Sequence, residues 1–254
     1  MNDDTGKPKR LGRDAEARPL PRRFFKEATA APRGDGFAIL LDGRVARTPR
    51  RHELSVADEA LARDIAAEWA AQGERIDPAA MPLTTLVCTA LDAVRGNEAA
   101  VAEEIVRYAG SDLTCYRAEA PEALRALQAA RWDPPLEWIA REFGVRFNIA
   151  SGITHVAQPA EATAAVAAAL AGLPALHLAA THVLTTLTGS AILALAVLKC
   201  RMSLDDAWSA AHVDEDWQIE KWGEDAEATE RRQRRYLEAR AAARVLSAGP
   251  TRSD

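Results

Sequence analysis

The sequence has little of what cofactor and covalent chemistry require. Its three cysteines, Cys88, Cys115 and Cys200, are widely spaced with no C-x-x-C pair, which argues against a disulfide framework and fits a reducing compartment. No G-x-G-x-x-G follows a strand pattern and no G-x-x-x-x-G-K-[ST] is present, so neither glycine-rich nucleotide loop has support. Ser190 sits in T-G-S-A rather than G-x-S-x-G, so there is no nucleophile elbow. Cys115 has Asp112 close in sequence but no assignable base. His52, His155, His177, His182 and His212 are the only histidines, and His177 and His182, five apart, would fall on different faces of a helix instead of forming an i, i+4 metal pair. No metal or cofactor is expected.

A basic surplus is also missing. The formal charge of −5 argues against a dedicated nucleic-acid binder. The first residues, MNDDTGKPKRLGRDAEARPLPRR, lack an apolar stretch, which excludes a secretory signal, and Asp3, Asp4, Asp14 and Glu16 do not suit a transit peptide. Residues 1–20 and 247–254 are expected to be disordered tails. Residues 162–198 contain no Asp, Glu, Lys or Arg, a run longer than the ~20 residues of a spanning helix. Gly172 and Pro174 interrupt it, however, and His177, Thr181, His182, Thr185, Thr186, Thr188 and Ser190 would be costly in lipid. Buried core helices are the better reading, with no membrane span.

What is present reads as α+β. Residues 23–29 suggest a short strand, and residues 36–48 a hairpin: FAILL, the Asp42-Gly43 pair favoured by a two-residue type I′ loop, then RVART. Arg44, Arg47, Arg50 and Arg51 form a small basic patch, read as a solvated face. A helix capped at Ser55 should lay Leu61, Ile65 and Trp69 on that sheet. Beyond Asp77-Pro78 and Met81-Pro82 the pattern becomes helical: residues 83–94, 97–108, 121–132, 136–143, helices on either side of Pro174, and a charged surface helix over 224–246. Pro134-Pro135 should break the third, and residues 113–117 and 145–149 should be short extended pieces. The expected organisation is a small β-rich N-terminal domain over 21–80 followed by a larger all-helical C-terminal domain over 81–246.

Residues 203–223, SLDDAWSAAHVDEDWQIEKWG, stand out. Ser203 is a good N-cap, Asp205 and Asp206 favour the first turn, and Gly223 can close the C-terminus. Taken as one helix at ~100° per residue, Leu204, Trp208, Ala211, Glu215, Gln218, Ile219 and Trp222 lie on one stripe that should face the core. Val213, Asp216 and Trp217 then fall outside. A carboxylate on an apolar face and a tryptophan on a wet one break local rules, as functional sites do. Asp214, Glu215 and Asp216 point three ways and cannot jointly chelate. Glu215 is then a buried ion pair with an arginine, a partner contact in an open groove, or an acid/base group with a raised pKa and no identified second catalytic group.

Several dispersed blocks, RFFKEA, LDGRVARTP, AAEWAAQ, MPLTTLVCTALD, DLTCYRAEAPEALRALQAARWDPPLEW and EDWQIEKWG, in this order and spacing, resemble the assembly chaperones of F-type ATP synthase that handle the alpha subunit of its catalytic head. The resemblance runs from about Arg23 to Leu246. It implies a two-domain, non-enzymatic holdase that keeps the free alpha subunit soluble until it pairs with beta, with no cofactor, small-molecule substrate or nucleic acid. It also implies an essential acidic residue before K-W-G. Of the three acids there, the wheel selects Glu215, so Glu215, Gln218, Trp222, Asp216 and Trp217 are the candidate partner-binding residues. Trp69 matches a family tryptophan and reads as structural. The short basic N-terminus differs from the longer presequences of mitochondrial members and favours a bacterial cytoplasm, with the mitochondrial matrix as the eukaryotic counterpart. The alternative function is a helical-pocket hydrolase with Glu215 as acid/base.

Overall fold

A computed structural model describes residues 19–152 and 154–248; both expected tails lie largely outside that range. Its N-terminal part is a small antiparallel sheet. Strand β1 (Ala28–Arg33) pairs with β2 (Gly36–Leu41) in a register running from Ala28 opposite Leu41 to Arg33 opposite Gly36. Strands β3 (Arg44–Val45) and β4 (Ser55–Val56) both pair with β2. Asp42 and Gly43 have φ of 48° and 75°, the two positive values that a type I′ turn needs. Helix α1 (Glu59–Ala70) buries Leu61, Ala62, Ile65 and Ala66, and Trp69 packs edge-on to Phe25 at 5.6 Å.

The remainder is helical. Helix α2 (Pro82–Thr89) runs into a single π-helical turn over Ala90–Val94, followed by α3 (Glu98–Ala109). Next come α4 (Glu122–Phe143), α5 (Ala160–Leu170), α6 (Ala175–Thr188) and α7 (Ala191–Leu198). The last three are α8 (Leu204–Ala211), α9 (Val213–Trp222) and α10 (Ala226–Ser247). A two-residue parallel pair joins β5 (Tyr116–Arg117) to β6 (Ala150–Ser151). The chain is thus α+β, with the four-stranded sheet first and the helices, with one short strand pair among them, after.

The uncharged stretch supplies the centre of the helical part. Residues 191–197 of α7 are all buried, and α6 buries Leu178, Ala179, Ala180 and Leu184 beside it. No helix among the described residues is long and apolar enough to cross a membrane. The hydroxyls of Thr181, Thr185 and Thr188 donate to carbonyls one turn back at 2.8, 2.9 and 2.7 Å, so these polar groups are satisfied inside the core.

One buried carboxylate organises this centre. Asp112 Oδ1 accepts from the Thr114 amide at 3.0 Å, the Thr114 hydroxyl at 2.8 Å and the Ser190 hydroxyl at 2.7 Å, while Oδ2 accepts from the Ile192 amide at 3.1 Å. It thereby caps a 3-10 turn and the start of α7 together. Burial pushes its pKa above the ordinary value despite four donors.

Three polar ties join the strand-bearing part to the helices. Glu68 on α1 accepts from the amides of Leu83 and Thr84, both at 2.8 Å, and so caps α2 from outside. Asp92 on the π turn accepts from the Thr48 hydroxyl at 2.6 Å and the Arg50 amide at 3.0 Å, and contacts His52 Nδ1 at 2.8 Å. Arg244 Nε on α10 donates to Asp64 at 2.7 Å.

Several local expectations are corrected. Ser55 belongs to β4, and Asp58 caps α1 instead, its carboxylate accepting from the Leu61 amide at 2.6 Å. The first strand begins at Ala28, residues 113–115 form a 3-10 turn, and the late strand is at Ala150–Ser151. Pro134 and Pro135 lie inside an unbroken α4. Each interior proline costs roughly 3 kcal/mol, but one face of α4 buries Trp132, Pro135, Trp138 and Ile139, and tryptophans carry the largest burial of any side chain. Packing therefore overrides the local break. Helix α10 is less superficial than expected, since Ala239, Ala241, Ala242, Val245 and Leu246 are buried.

Replacing Asp112 by Ala would leave the Thr114 and Ile192 amides and the Ser190 hydroxyl buried without their acceptor. We expect a stability loss of about 2–3 kcal/mol, read as a lower urea midpoint with a native far-UV spectrum before the transition.

A cleft between the last two helices

Residues 203–223 are two helices with a break at His212, whose φ and ψ are −114° and 17°. The break is held from three sides. The His212 ring lies 4.1 Å from the Trp208 ring, and its Nδ1 is 2.8 Å from the Trp208 carbonyl. A carbonyl can only accept, so Nδ1 carries the proton. Trp132 Nε1 on α4 donates to the Ala210 carbonyl at 2.6 Å. The buried Gln128, also on α4, donates through Nε2 to Asp214 at 2.7 Å and accepts the Ala118 amide at 2.8 Å.

The break decides which side chains are inside. Helix α8 buries Ala207, Trp208 and Ala210, whereas α9 buries only Val213. The core-facing stripe inferred from a single helix therefore stops at His212. Glu215 and Gln218 are exposed and Trp222 is 78% exposed, while Val213, expected outside, is buried. Their grouping survives: Glu215, Gln218, Ile219 and Trp222 share one face, but that face borders an open cleft instead of the core.

The opposite wall is α10. Gly223, at φ 89° and ψ 170°, occupies a region essentially confined to glycine and turns the chain sharply. Asp225 then caps α10 by accepting the Ala228 amide at 2.8 Å. Ala228, Arg231, Arg232 and Arg235 face α9 across a cleft of about 430 Å³. Arg232 pairs with Asp216 at 2.5 Å, tying the helices together, and Arg235 donates to the Leu187 carbonyl at 2.9 Å. Arg231 is 3.8 Å from Glu227, and both side chains are largely exposed.

The candidate residues thus divide. Glu215, Gln218 and Trp222 line the cleft together. Asp216 is engaged with Arg232, and Trp217 is half-buried with the Lys221 ammonium 4.6 Å above its ring. Glu215 forms no ion pair among the described residues, so the buried-ion-pair reading fails. The hydrolase reading required a closed pocket around Glu215, whereas three of the cleft's α9 side chains are exposed. The arginines of α10 were not singled out from the sequence. Their signal was Ala228, Arg231, Arg232 and Arg235 at i, i+3, i+4 and i+7, within a helix read only as a charged surface.

Residues 22–140 match the ATP12 chaperone protein family. The structure is similar to that of Atp12 from Paracoccus denitrificans, at 39% identity and a TM-score of 0.82, covering 90% of this chain and 98% of that one. The chain belongs to the ATP12 chaperone family. A mutant of the same P. denitrificans protein, with lysine in place of one aspartate, matches equally at 39% identity, covering 90% of this chain and 97% of that one, with a TM-score of 0.82. The Atu1473 protein of Agrobacterium tumefaciens, described as a chaperone candidate, is 47% identical with a TM-score of 0.86, covering 91% of this chain and 87% of that one. The ATP synthase assembly family suggested by the sequence blocks is therefore the right one, and the family and these neighbours are described as chaperones.

For this ATP12 family member, pH should act on the break at His212. Burial holds the ring below its ordinary 6.5, with Arg232 and Arg235 adding to the effect and the Trp208 carbonyl and Glu215 opposing it. A histidine depressed in the folded state contributes stability that is complete above the unfolded value and is lost as pH falls from about 6.5 toward the folded value. The melting temperature should drop between pH 7.5 and 5.5, and His212→Gln should flatten that part of the profile.

Proposed function

We propose that this chain binds the unassembled alpha subunit of an F-type ATP synthase and keeps it soluble until beta joins it, using the cleft between α9 and α10 as a principal contact. The observation that carries this reading is Trp222, 78% exposed on the same cleft-lining face as a Glu215 that has no ion pair among the described residues. A large aromatic left in water at the lip of a cleft costs hydrophobic free energy unless a partner covers it. Such side chains, with a neighbouring charge, are typical anchors of protein–protein contacts.

The chemistry suits temporary holding. The aromatic supplies area, and the carboxylate fixes register and disfavours wrong partners. Neither needs a nucleotide or cofactor in the chaperone itself. A bacterial cytoplasm is the compartment this reading implies.

Glu215→Lys should weaken capture of the alpha subunit and suppression of its aggregation while circular dichroism stays native. Trp222→Ala should cost about 2 kcal/mol of binding with an unchanged melting temperature, because the side chain is exposed in the free protein. Titration calorimetry with purified alpha subunit measures both. Normal binding by both variants would remove the cleft from the account.

A further inference from the structure

The two walls of the cleft carry opposite charge in matching helical patterns. Glu215, Gln218, Ile219 and Trp222 stand at i, i+3, i+4 and i+7 of α9, and Ala228, Arg231, Arg232 and Arg235 repeat that spacing on α10. Each row covers two turns, about 10 Å of helix axis. Such rows usually face a core or a neighbouring helix. Here they face one another across the turn at Gly223, bridged by Asp216 and Arg232, and border open space.

Not all of the charge is committed. Asp216 neutralises Arg232, and Arg235 is partly held by the Leu187 carbonyl. Among the described residues Arg231 has only a long contact to Glu227 on its own helix, a pair of little strength on an exposed surface. Glu215 on one wall and Arg231 on the other are therefore available to a ligand, with Ile219 and Trp222 supplying apolar surface.

From this we infer that the cleft receives an amphipathic α-helix of the partner, about two turns of it, with an apolar row flanked by a basic row facing α9 and an acidic row facing α10. The inference rests on the proposed alpha-subunit function and specifies what is recognised there. The two signs also impose direction. Reversing the helix end for end, with its apolar row kept on the cleft floor, would set acid against Glu215 and base against Arg231, and like charges in contact disfavour that pose.

The test uses the full chain, purified alpha subunit and a tiled set of synthetic peptides from that subunit. Arg231→Glu should weaken alpha-subunit binding about tenfold or more, comparably to Glu215→Lys. Arg234→Glu makes the same change one turn away, outside the cleft, where Arg234 pairs with Glu230, and should leave binding unchanged. The peptide that competes should carry both charged rows, and a proline at its centre should abolish competition. Equal effects of Arg231→Glu and Arg234→Glu, or none from either, would overturn the charge assignment. Competition that survives the central proline would overturn the helix. Self-association lost on Trp222→Ala would instead assign the cleft to a second copy of this chain. If the unaltered chain fails to hold alpha subunit at all, the proposed function falls and this inference with it.

Discussion

His212 and Trp208 form a tilted ring pair, joined by a hydrogen bond from the histidine ring to the tryptophan carbonyl, and the geometry of residues 204–247 depends on it. Without the break, residues 203–223 would continue as one amphipathic helix and carry Glu215 and Trp222 into the core. With it, α8 seals the helical centre and α9 leaves that surface after a single buried contact at Val213. Helix α4 locks the arrangement through Trp132 on the near side of the break and Gln128 on the far side. Helix α9 is thus rooted in buried hydrogen bonds while its cleft-lining face stays in water.

A holdase needs that combination. The recognition surface should not rearrange, so that little conformational entropy is lost on binding, yet contacts should be limited enough for release. Rigidity comes from below: the buried α6 and α7, the Asp112 cap joining two elements, and the ties of Glu68, Asp92 and Arg244 that hold the small sheet to the helices. Restraint comes from the cleft itself, where charges remain hydrated and few apolar groups are offered. A deep apolar pocket would bind more tightly and more promiscuously.

Elements whose signal is local were readable from the sequence. The Asp42-Gly43 turn, the stripe of α1 and the division into strands then helices follow from turn chemistry and periodicity. The misreadings occur where tertiary packing overrides a local preference. Two prolines persist inside α4 because tryptophans on its face are buried, and residues 203–223 break at a histidine with no helix-stopping character of its own. The wheel identified the face shared by Glu215, Gln218 and Trp222 but could not orient it, because orientation was set by Gln128, distant in sequence. The same holds for the α10 arginines, whose significance lies in what stands opposite them.

The central claim is that the α9–α10 cleft is where the partner sits. A photoactivatable cross-linking residue placed at Gln218, exposed and within the cleft, tests it most directly in the presence of purified alpha subunit. The same probe at Phe24 and Ile149, exposed apolar positions elsewhere on the molecule, provides the comparison. The account predicts cross-links from Gln218 that map to one helical segment of the alpha subunit and are lost with Glu215→Lys. Efficient cross-linking from Phe24 or Ile149 with none from Gln218 would contradict it.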